Sequence, residues 1–170
     1  MSPRIVLIAL FASLLTQLAA AQQNQRPEYS VKEDQPRIGS NIRRDVVRPF
    51  VMPINLPYER LSTEDQDKFK RNYEKIEPND EPPFPLGGLK SILDPIRKGQ
   101  AKLLVDGELF LIAIISSSGE AIEVQAIGSP SPDMTRFAAQ VLLLTKFKPA
   151  VCGGTPCRME FPIRIAFRTE

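Results

Sequence analysis

The chain has 170 residues, a net charge of +2 and no histidine. A balance this close to neutral gives no electrostatic reason to expect nucleic acid or an anionic membrane surface as partner. Without histidine the commonest general base and the usual nucleophile triads are missing, so an enzyme is not expected. Two cysteines alone do not complete a tetrahedral zinc shell, and neither a metal nor another cofactor is expected.

Residues 1–21 read as a secretory signal peptide. Arg4 precedes an apolar run over 5–18, and Ala19-Ala20-Ala21 supplies the small residues wanted at a cleavage site just before Gln22. An uncut membrane anchor is the alternative, since the run falls just short of the ~20 apolar residues of a spanning helix. Residues 22–60 read as an extended or disordered tether, with Pro27, Pro36, Pro49, Pro53 and Pro57 scattered among polar residues without apolar period. Over 61–83, Ser62-Thr63-Glu64-Asp65 can cap a short helix carrying Phe69, Tyr73 and Ile76 on one stripe, either docked or floating. A stiff Pro82-Pro83-Phe84-Pro85 connection follows.

The final domain is expected over 84–170. Leu89, Ile92, Leu93 and Ile96 are spaced for a short helix that Pro95 kinks and Gly99 ends. Residues 109–115 are apolar on both sides, as in a strand shielded on two faces or buried against another chain. Ser118-Gly119-Glu120 reads as a turn, with Ser116 and Ser117 as turn chemistry, since no strand-to-helix elbow strains them toward nucleophiles. Ile122, Val124 and Ala126 then alternate with Glu123 and Gln125, which predicts a second strand with one wet face.

A helix is predicted over 132–145, with Ser131 as cap, Pro132 at the first turn and an apolar stripe of Met134, Phe137, Ala138, Val141 and Leu142. In an oxidising compartment Cys152 and Cys157, which bracket Gly153-Gly154-Thr155-Pro156, are expected to form a structural disulfide. In the closing strand Met159, Phe161, Ile163, Ile165 and Phe167 share one face by their period of two. The fold class is therefore α+β, a small antiparallel three-stranded sheet packed against helices. Pro162 suits an edge strand or a bulge, because it cannot donate to a ladder.

From residue 84 to 168 the order of elements resembles the C-terminal domain of TonB-type energy transducers. The resemblance is carried by the Ser118-Gly119 turn, the helix from Asp133 with Ala138-Ala139, the Phe147-Lys148-Pro149-Ala150 corner, the Gly154-Thr155-Pro156 turn and the Arg164-Ile165-Ala166-Phe167 ending. It implies a periplasmic protein-binding module that captures a short segment of an outer-membrane transporter, or another envelope protein, as an added strand. On that reading Phe161, Ile163, Arg164, Ile165, Phe167 and Arg168 bear or adjoin the docking edge, with Arg164 and Arg168 as rim contacts. The same edge allows a homodimer. An inner-membrane-anchored transducer and a structural envelope protein without peptide ligand are the alternatives. The sequence departs from a full transducer in lacking both histidine and a long Glu-Pro and Lys-Pro spacer.

Overall fold

The computed structural model describes residues 29–31, 42–43 and 52–168; the expected signal peptide and most of the expected tether lie outside these. In chain order the elements are β1 (Tyr29–Val31), α1 (Thr63–Lys70), β2 (Phe84–Pro85), α2 (Lys90–Leu103), β3 (Gly107–Ile115), β4 (Ala121–Gly128), α3 (Pro132–Leu144), β5 (Phe147–Lys148), β6 (Ala150–Cys152), β7 (Thr155–Cys157) and β8 (Met159–Phe167). The fold is α+β. No helix among the described residues is long and apolar enough to cross a membrane.

The main sheet runs β1-β4-β3-β8. It has four strands where the sequence predicts three, because Tyr29–Val31 pairs in parallel with β4, Tyr29 opposite Val124. The all-apolar run becomes the central strand β3, antiparallel to β4 on one side and β8 on the other. Leu109 to Ile115 are all buried, as a strand flanked on both sides and covered on both faces requires.

The wet face expected on β4 is not there. The register passes from Ile114 opposite Glu123 to Ile115 opposite Ala121, so Ile122 is the extra residue of a bulge and turns outward at 43% exposure. Gln125 is instead buried at 1%, its amide donating to the Glu123 carboxylate at 2.5 Å. A buried amide is tolerable only when bonded in this way.

Helix α3 starts as the sequence indicates. Ser131 Oγ accepts from the Met134 N–H at 3.2 Å, and Pro132 occupies the first turn, where a missing N–H costs nothing. Met134, Ala138 and Leu142 face the core, while Phe137 and Val141 are half-buried at its border. Helix α2 does not stop at Gly99. It runs through Pro95 and Gly99 to Leu103, and Leu104, left-handed at φ 49°, ends it. Gly99 serves packing between helices instead. A Cβ there would lie 2.4 Å from Phe137 Cε1, so its absence lets α2 and α3 approach.

The helix over 63–70 docks instead of floating. Ser62 caps it, accepting from the Asp65 N–H at 3.2 Å, and it ends before Tyr73 and Ile76, which therefore do not share its stripe. Phe69 is fully buried among Phe84 (5.2 Å between ring centres), Phe161 (5.8 Å) and Tyr73 (6.1 Å). Phe147 meets Phe161 at 5.1 Å, so this aromatic cluster ties α1 to the β2-β5 pair and to β8. Each ring pair contributes about 0.5–1.5 kcal/mol beyond its buried area.

Candidate partner-strand edge

Strand β8 pairs with β3 over its whole length, from Met159 opposite Ile115 to Phe167 opposite Gly107. It is the terminal strand of the sheet among the described residues. Phe161, Ile163, Ile165 and Phe167 are buried at 0, 0, 9 and 6% exposure. Four of the six residues assigned to the docking edge thus commit their side chains to the core, and are not available as side-chain contacts for a partner. Arg164, expected as a rim contact, is engaged within the protein: its Nε lies 2.9 Å from Glu108 Oε1 and its guanidinium sits 4.5 Å from the centre of the Phe110 ring. Glu108 and Phe110 reach it from β3, where Phe110 stands opposite Arg164. Arg168 is exposed.

Pro162 faces Ile112 with no break in register. In an antiparallel ladder a residue sends both backbone groups toward its neighbour or both away from it. A proline fits only where the missing donor points away, and on that parity the backbone groups of Glu160, Pro162, Arg164 and Ala166 face outward. Tyr73 agrees with this parity, since its hydroxyl donates to the Glu160 carbonyl at 2.8 Å. The Glu160-to-Pro162 half of the edge is therefore capped by Tyr73 and short of one donor. The other half is different. There Arg164 to Arg168 border a groove of about 440 Å³, whose opposite wall is Leu93, Arg97 and Gln100 of α2 with Ile54 beside them.

Burial holds the Tyr73 hydroxyl well above the usual phenol range, with the charge of Glu160 and the neighbouring Tyr58 adding to it. It therefore donates to Glu160 at every ordinary pH. Neither Tyr73 nor Arg97 is marked in the sequence: the first falls at helical spacing from Phe69, and the second is one of several charges on the polar side of an amphipathic helix.

A second groove of about 450 Å³ lies between α2 and α3, with Leu86 and Leu144 exposed at its rim. The serine run is turn chemistry: Gly119 N–H donates to Ser116 O at 3.0 Å and Glu120 N–H to Ser116 Oγ at 3.1 Å. Cys152 and Cys157 are joined, with Cα atoms 5.8 Å apart, across the β6-β7 hairpin. That hairpin is held by two Glu81–Val151 backbone bonds of 2.9 Å and by Asp80 Oδ1, which accepts from Gly153 N–H at 2.8 Å. In comparison with known proteins, the chain matches no protein-family model and none of the curated sequences.

Proposed function

We propose that the protein is an exported, periplasmic module with a TonB-like C-terminal domain, and that it binds an extended segment of an envelope protein as an added strand on β8. The observation that carries this reading is the position of β8: an edge strand, firmly seated through its buried side chains, with a groove running beside its Arg164-to-Arg168 half. A guest strand lying there gains main-chain hydrogen bonds from β8 and side-chain contacts from α2. The sequence resemblance supports the same mode and names the guest class, the N-terminal segment of an outer-membrane transporter. The mature chain begins near Gln22 on this reading, which N-terminal sequencing of the exported protein and fractionation test directly.

The binding test uses labelled peptides from transporter N-termini titrated against the purified protein. Ala166 is exposed and shares the outward parity of Pro162, so Ala166→Pro removes a donor from the edge and leaves the ladder to β3 intact. Affinity should fall by about tenfold or more in Ala166→Pro and stay near wild type in Ala166→Ser. Equal affinity in all three proteins rejects strand addition at this edge.

A further inference from the structure

The groove beside β8 has a charge character that the whole chain does not share. Its walls carry Arg97, Arg164 and Arg168 and not one carboxylate, in a protein whose overall charge is only +2. Arg164 is already held by Glu108. Arg97 and Arg168 are exposed, and among the described residues neither has an ion-pair partner. The rest of the lining is largely apolar, made by the nearly buried Leu93, Ile165 and Phe167 with half-buried Ile54. Two exposed cations and an apolar floor, beside an unextended strand edge, form a surface complementary to an extended segment that carries both acid and apolar side chains.

We propose that the groove selects an acidic guest: an internal extended peptide segment whose Asp or Glu side chains pair with Arg97 and Arg168 while an apolar side chain rests on the trough floor. This inference rests on the strand-addition reading and adds to it the chemistry of the partner. Successive side chains of an added strand point to opposite sides, so a guest meets Arg97 on the α2 side and Arg168 on the other without a special turn. Arginine suits this role because its planar fork can hold a carboxylate bidentately. A desolvated backbone pairing beside these charges makes the pairs worth more than fully exposed ones, although salt still weakens them.

The test uses the full chain and synthetic heptapeptides blocked at both ends, so that no terminal carboxylate takes part. One set carries two acidic residues flanking valines, a second replaces them by Asn and Gln, and a third keeps the acids but methylates alternate backbone amides in one phase or the other. The acidic set should bind about fivefold tighter per carboxylate than the amide set at low salt. Arg97→Gln together with Arg168→Gln should abolish that preference, so that the double variant binds the acidic and the amide sets alike. One phase of backbone methylation should abolish binding and the other should not. If the acidic and amide sets bind equally and one methylation phase still abolishes binding, acid selection is overturned and strand addition stands. If the acidic set binds better but neither methylation phase matters, strand addition falls and takes this inference with it. Absence of binding by every peptide overturns both.

Discussion

Tyr58 and Tyr73 belong to the same aromatic neighbourhood, yet their hydroxyls are in opposite circumstances. Tyr73 donates to the Glu160 carbonyl at 2.8 Å, while the buried Tyr58 hydroxyl has no hydrogen-bond partner among the described residues. Tyr73→Phe should therefore cost about 1 kcal/mol, and Tyr58→Phe should be neutral or slightly stabilising, because it removes a desolvated group that gains nothing in return. Urea denaturation of the two variants beside wild type measures the difference. The pH dependence follows from the same burial. An unfolded chain releases the Tyr73 proton around the ordinary phenol value of 10.0, whereas the folded chain holds it well above that. The stability this contributes is fully present below about pH 10 and declines as pH rises from there toward the folded value. Tyr73→Phe should flatten the alkaline limb of a stability profile; an unchanged limb would show that this hydroxyl is not what the folded state protects. Glycine offers a second contrast at this scale. Gly119 has φ +82°, and a Cβ there would lie 2.2 Å from the Phe147 carbonyl oxygen, a backbone atom that is itself held in place. Gly99→Ala meets only the Phe137 ring, which can rotate away, and gains helix propensity in exchange. Gly119→Ala should accordingly cost about 2 kcal/mol or more and Gly99→Ala clearly less, measured by thermal unfolding.

Among the elements, β8 carries two roles on two different parts of itself. Its alternate side chains anchor it under the helices, and its outward backbone remains available on the groove side. Phe167 lies close to the end of the strand and is 6% exposed, so Phe167→Ala should cost about 3–5 kcal/mol and loosen the half of the edge that borders the groove. Hydrogen exchange of the β3 amides between Gly107 and Leu109, which face that end of β8, should accelerate in the same variant. The alternation of β8 and the stripe of α3 are readable in the sequence because each needs only neighbouring residues on one element. Arg164 is not, since its destination depends on Phe110 and Glu108 standing in the facing β3 register, more than fifty residues away. The β4 face eludes the sequence for a related reason: the bulge turns Ile122 outward, and Gln125 stands opposite the buried Ile112 on a face that is covered too.

Across the whole molecule, the segment before residue 84 and the sheet after it share one core. Phe69 touches Phe84 and Phe161, and Tyr73 bonds the backbone of β8, so the β8 edge is shaped in part by residues nearly ninety positions earlier. Phe69→Ala should cost about 3–5 kcal/mol and lower the stability of the sheet itself, with one unfolding transition seen by both aromatic fluorescence and far-UV dichroism. Two separate transitions would mean that α1 is an independent attachment.

The sequence by itself determined the local pieces: the Ser62 and Ser131 caps, the glycine turn at Ser118-Gly119, the apolar stripe of α3, the buried face of β8 and a short loop suited to a disulfide. Each follows from the geometry of a single segment. Tertiary structure decided the parallel pairing of Tyr29–Val31 with β4, the bonded burial of Gln125, the use of Gly99 as a contact point between helices, the Arg164–Glu108 pair and the Tyr73 cap on half of the edge. These depend on which distant backbones meet and in what register, and a one-residue change of register would exchange every inward side chain for an outward one.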